Sequence, residues 1–225
     1  MKKQSCIIIF FIDLLTDIAG IETGNEILQY IFKPLICPVL IGYFLFSVNG
    51  INTQLKKWII AALFFSWGGD VLLIFQGQKN IFFLLGLTSF LLAHIFYIVF
   101  LQNIRLAEKT HSNILLLLIV VIYYAVLISW LSPYLGDMKL PVRIYGVVIS
   151  LMLLLAMHML FIKNKISGKW MMIGAVLFVI SDSVLAVNKF YQPFSGASLI
   201  IMLAYGLAQL FIIEGAIKYL YTSKK

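Results

Sequence analysis

Eight stretches of this 225-residue chain are long and apolar enough to cross a lipid bilayer, and that leaves few folds open to it. A spanning helix needs about 20 mostly apolar residues. The windows lie at about 5–21, 30–48, 58–75, 81–102, 113–131, 141–161, 170–187 and 196–219. Lipid offers no partner for backbone N–H and C=O groups, so each segment must close its own hydrogen bonds as a helix. The breaks between windows carry Gly, Asn, Pro, Ser and charge, the chemistry of turns. The expectation is an all-α polytopic membrane protein with eight transmembrane helices. The connecting loops are too short for a separate soluble domain, so residues 1–225 read as a single membrane domain.

Composition supports this. Apolar residues make up 62% of the chain and charged residues only 12%, about half the share in soluble domains. The net charge of +8 would suggest nucleic acid in a soluble protein. Here it reads as topology, because Lys and Arg collect in cytoplasmic loops. With eight spans, Lys2, Lys3, Lys56, Lys57, Arg105, Lys109, Lys163, Lys165, Lys169, Lys218, Lys224 and Lys225 share one side. Lys33, Lys79, Lys139, Arg143 and Lys189 fall on the other. Twelve against five places both termini in the cytoplasm, in a bacterial cell membrane. Lys2-Lys3 ahead of an apolar run resembles the start of a signal peptide. Asp13, Asp17 and the lack of a small-x-small cleavage site favour a retained first helix. Cys6 and Cys37 have no CxxC spacing, which argues against a disulfide framework or a structural zinc site.

Polar residues inside the apolar windows are the functional candidates, because an ionisable group at a helix centre costs about 2.5 kcal/mol or more. Asp70 lies in Trp67-Gly68-Gly69-Asp70, and Asp182 in an echo of it, Ile180-Ser181-Asp182-Ser183. The echo raises the alternative of two tandem four-helix halves related as a parallel repeat. Counting helix rise puts Asp70 and Asp182 at a similar depth, a little beyond the midplane. His94, Tyr205 and Gln209 arrive at a similar level. His94 and Tyr97 share a helix face, as do Tyr205 and Gln209. Two carboxyl groups in low dielectric suit a general acid and general base pair. No GxSxG, HExxH or nucleotide-binding loop is present. Zinc held by His94 and the two aspartates is an alternative; the paired-carboxylate reading needs no cofactor. Asp13 and Asp17 share a face and would pair with a basic group or a cationic headgroup. Glu214 is expected to pair with a loop lysine, and His158 to be a helix-end histidine.

The ordered set Lys33-Pro34-Leu35, Gly69-Asp70-x-Leu72-Leu73, His94-x-x-Tyr97, Tyr145, Ser181-Asp182-x-x-Leu185-Ala186 and Tyr205-x-x-x-Gln209 resembles the YhhN / transmembrane protein 86 family, which includes the lysoplasmalogenases. The resemblance runs from about Lys33 to Gln209. It implies an eight-span hydrolase that cleaves the vinyl-ether bond of a lysophospholipid, giving a fatty aldehyde and a glycerophospho-ethanolamine or -choline. On that reading Asp70 and Asp182 are catalytic. His94, Tyr97, Tyr145, Ser181, Tyr205 and Gln209 form the supporting polar network, and Lys33 meets the substrate phosphate. Two other classes fit the buried carboxylates, a proton-coupled transporter and a lipid-binding membrane protein.

Overall fold

A computed structural model describes residues 3–222. Lys2, Lys224 and Lys225, counted above for topology, lie outside the described residues. Those residues are helical with short connections, and include no strand. The helices are α1 (Lys3–Thr23), α2 (Glu26–Phe32), α3 (Ile36–Ser47), α4 (Leu55–Ile74), α5 (Asn80–Ala107), α6 (Ile114–Leu131), α7 (Lys139–His158), α8 (Lys165–Ala186) and α9 (Ala197–Thr222).

All eight expected windows are helical, and seven of the resulting segments are long and apolar enough to cross a membrane. The chain is an integral membrane protein. The eighth segment, α1, is 21 residues long and is not among the seven. Its buried positions, Cys6, Phe10, Asp13, Leu14, Asp17 and Gly20, form one face, so both aspartates point into the protein while Ile8, Ile12 and Leu15 point out. The second window begins earlier than expected, spans Glu26–Ser47, and is interrupted. Pro34 cannot donate a helical hydrogen bond, and Lys33–Leu35 is a 3-10 turn between α2 and α3. Side-chain caps start three helices: Asn25 accepts from Ile27 N, Asn113 from Leu115 N, and Asn164 from Ser167 N. Such caps satisfy the free N–H groups of a first turn.

The long helices alternate in direction. One end of the bundle gathers the beginning of α1 and the end of α9, where Tyr221 donates to the Ser47 carbonyl and Asn164 to the Lys218 carbonyl. The other end carries α2, the Lys33–Leu35 turn, and the end of α8, which unwinds into a π-helical turn at Val187–Tyr191. Glu214 pairs with lysines as expected, although both are in helices rather than in a loop. It meets Tyr43, Lys3 and, one turn along its own helix, Lys218. His158 does close its helix: Nδ1 lies 2.7 Å from the Leu154 carbonyl and Nε2 accepts from Asn113 N at 3.3 Å.

Two helix pairs, α4–α5 and α8–α9, are the most extensively packed. Small residues permit the approach, as helix packing in lipid requires. A Cβ on Gly69 would lie 2.5 Å from the Phe90 ring of α5, and one on Gly174 would lie 2.8 Å from the Ala208 carbonyl of α9. Large apolar side chains such as Ile114, Leu118, Ile122 and Val126 of α6 remain exposed, an outer surface suited to acyl chains rather than water.

Candidate active site

Asp70 is the sixteenth residue of α4 and Asp182 the eighteenth of α8. At 1.5 Å per residue they lie about 22 and 26 Å from the starts of their helices. Both are therefore closer to the α2 end of the bundle than the sequence count suggested, because α4 and α8 begin earlier than the apolar windows did. Each sits one turn from the end of its helix.

The two carboxylates draw their donors crosswise. Asp70 on α4 accepts from the Tyr205 hydroxyl of α9 at 2.6 Å, and from the Cys37 thiol of α3 at 3.6 Å. Asp182 on α8 accepts from the Tyr145 hydroxyl of α7 at 2.6 Å, and its Oδ2 lies 3.2 Å from His94 Nε2 of α5. Tyr145 and His94 are themselves 2.9 Å apart, so imidazole, phenol and carboxylate form a closed triangle. In both networks Oδ2 takes the donors. Asp70 is 1% exposed and the Asp182 side chain 15%.

Both aspartates line one cavity of about 400 Å³ at the α2 end. Lys33, Tyr205 and Ser181 also line it, with Phe90, Leu73, Leu185 and Met202 as apolar wall. Phe90 packs edge-on to Tyr205, with ring centroids 5.7 Å apart. The absence of a Cβ at Gly69 thus lets α5 set an aromatic ring beside the Asp70 partner. The rim is polar, with Glu26, Gln29, Gln76, Asn188 and Ser198.

The expected network is only partly assembled. His94 and Tyr145 hold Asp182, and Tyr205 holds Asp70. Ser181 donates instead to the Ile201 carbonyl at 2.9 Å and ties α8 to α9. Tyr97 reaches neither aspartate. It donates to Gln209, whose amide donates to Ser66 at 2.9 Å. These three fully buried groups form a separate layer, one turn nearer the end where α1 begins and α9 ends. Among the described residues no three His, Cys, Asp or Glu side chains are grouped to hold a metal ion; His94 reaches Asp182, while Asp70 is held by Tyr205 and Cys37.

Two participants were missed. Cys37, weighed in the sequence only for a disulfide or a zinc site, touches both Asp70 and, at 3.2 Å, Tyr205. Asp17, expected to pair with a basic group or a cationic headgroup, lines the same cavity. The i,i+4 spacing of Asp13 and Asp17 was the available signal. For Cys37 there was none beyond its position one turn after Lys33.

Comparison with known proteins adds to this geometry. A sequence profile of the YhhN family matches residues 28–216. A human protein named lysoplasmalogenase TMEM86B is 34% identical over 186 residues, covering 82% of this chain and 73% of the human one. A Mycobacterium tuberculosis protein named lysoplasmalogenase is 28% identical over 196 residues, covering 86% of this chain and 72% of its own. Human lysoplasmalogenase TMEM86A is 31% identical over 164 residues, covering 71% and 65% of the two chains. No solved structure matches.

Proposed function

The chain belongs to the YhhN family, and from that membership we propose that it is an intramembrane hydrolase cleaving the vinyl-ether bond of lysoplasmalogens by paired-aspartate acid and base catalysis. The observation that carries the mechanism is that Asp70 and Asp182 face one cavity while each is held by its own donors. The relatives named lysoplasmalogenase supply the substrate class.

Vinyl-ether hydrolysis requires a proton on the carbon remote from oxygen, then water on the carbon beside it. Asp70, the more enclosed carboxyl, is assigned the first proton transfer. The adjacent carbon becomes an oxocarbenium centre. Asp182 takes a proton from water as the oxygen adds, giving a hemiacetal; its second oxygen is free for this because His94 and Tyr145 occupy Oδ2. On collapse the hemiacetal hydroxyl proton returns to Asp70, Asp182 protonates the departing glycerol oxygen, and the aldehyde forms. One water is consumed and both carboxyls return to their starting states. No step calls on a cofactor.

Lys33 on the cavity wall is assigned the substrate phosphate, with the alkenyl chain against Phe90, Leu73 and Leu185. With both termini in the cytoplasm, as the basic residues imply, the cavity opens toward the opposite face of a bacterial cell membrane. Aldehyde release from lysoplasmenylethanolamine by the purified protein tests the reading. Asp70→Asn and Asp182→Asn are each expected to lose turnover while remaining folded. Full activity in either would remove the paired-carboxylate mechanism, and a wild-type protein inert toward every alkenyl lipid would favour transport or lipid binding.

A further inference from the structure

The proposed chemistry leaves Asp17 unused. This residue is 1% exposed and neither of its carboxyl oxygens has a hydrogen-bond partner. It nevertheless forms part of the wall of the cavity that holds Asp70, Asp182 and Lys33. A carboxylate enclosed in a protein interior is costly unless a cation or N–H donors meet it. Among the described residues Asp17 forms no ion pair. Its neighbour one turn along α1, Asp13, is 4% exposed and leaves Oδ2 unpartnered too, and Lys33 is the nearby cation that partly offsets this acidic pair from beyond ion-pair distance.

The cavity as a whole shows the same imbalance. Among the described residues its lining carries Asp17, Glu26, Asp70 and Asp182 against one cation, Lys33. An occupant bringing only a phosphate would meet one lysine and an excess of carboxylates. An occupant bringing a phosphate and an ammonium would match both. A primary ammonium donates three N–H bonds, whereas a quaternary ammonium donates none. Only the former can satisfy oxygens that lack donors. At this end α2 contributes Glu26, Gln29 and Tyr30 to the lining, and its Gln29 side chain donates to the Gly20 carbonyl of α1 over 3.3 Å.

We propose that Asp17 receives the primary ammonium of an ethanolamine headgroup whose phosphate is held by Lys33, so that the cavity selects ethanolamine over choline lysolipids. This rests on the reading of the cavity as a lysolipid site, but not on turnover. The test is binding of saturated 1-O-alkyl lysolipids, which have no vinyl ether to cleave, to the full chain in detergent. Three headgroups are compared: phosphoethanolamine, phosphocholine and bare phosphate. The wild type is expected to bind the ethanolamine lipid most tightly. Asp17→Asn should weaken that affinity by about tenfold or more, the worth of one charge-assisted hydrogen bond, while sparing the bare-phosphate lipid. Lys33→Gln should weaken all three. Asp17→Glu keeps the charge and should keep the preference. A wild type that binds choline as tightly as ethanolamine, or an Asp17→Asn chain weakened equally toward all three lipids or toward none, overturns the proposal. The wild-type comparison decides even if Asp17→Asn does not fold. Failure to hydrolyse vinyl ethers would remove the proposed reaction and leave this binding result standing.

Discussion

The Tyr205 hydroxyl donates to Asp70 across the α4–α9 interface at 2.6 Å, and through that bond the last helix of the chain positions a carboxyl on the fourth. A hydrogen bond to an ionisable group contributes about 1.5–3 kcal/mol. Tyr205→Phe should therefore lower kcat by about 10- to 100-fold with little change in KM, since Tyr205 acts through Asp70. A KM effect larger than the kcat effect, in steady-state aldehyde release, would place Tyr205 on the substrate instead.

Tyr145 and His94 converge on the same oxygen of Asp182 and on each other. Groups within one network lose their contributions non-additively. Tyr145→Phe and His94→Gln should each reduce kcat, and the double variant should lose less than the product of the two. Strictly multiplicative losses in a double-mutant cycle would mean that the triangle does not act as a unit.

Gly69 has no room for a side chain. A Cβ there would stand 2.5 Å from the Phe90 ring, while Gly42 has no atom within 4 Å of its added Cβ. Overpacking of this kind costs about 1–3 kcal/mol. Gly69→Ala should lower Tm in detergent, and Gly42→Ala should leave it unchanged or raised. Equal Tm values for the two variants would contradict the tight α4–α5 contact.

Lys79 and His111 are exposed at opposite ends of the bundle, and the two native cysteines are buried. If the termini are cytoplasmic, Lys79→Cys should react with an impermeant maleimide in intact cells, and His111→Cys only after lysis. The reverse labelling would invert the orientation and turn the cavity toward the cytoplasm.

How far the sequence carried these conclusions depends on the direction in which position is measured. Along a helix, position follows from residue rise, and so Asp70, Asp182, His94 and Tyr205 could be placed near one level before any coordinates. Around a helix and between helices, position depends on packing that apolar periodicity does not encode. In lipid the outward face is as apolar as the inward one, so the pattern that identifies a buried stripe in a soluble helix is nearly flat. That is why Cys37 carries no sign of being a partner of Asp70, and why the pairing within the expected network, Tyr97 with Gln209 rather than with an aspartate, is set by packing. Tyr145 came from family resemblance, not from spacing. On α1 the aspartates reveal the inward face themselves, since a carboxylate does not face lipid; their i,i+4 spacing marked the stripe that the structure buries.

The crosswise supply of donors has a consequence for biogenesis. Asp70 enters the membrane with α4 and waits for Tyr205 on α9; His94 enters with α5 and waits for Asp182 on α8. A chain inserted in order from its N-terminus holds half of each pair until its final helices arrive. The network around Asp182 can therefore close when α8 arrives, whereas Asp70 gains the Tyr205 hydroxyl only once α9 completes the bundle.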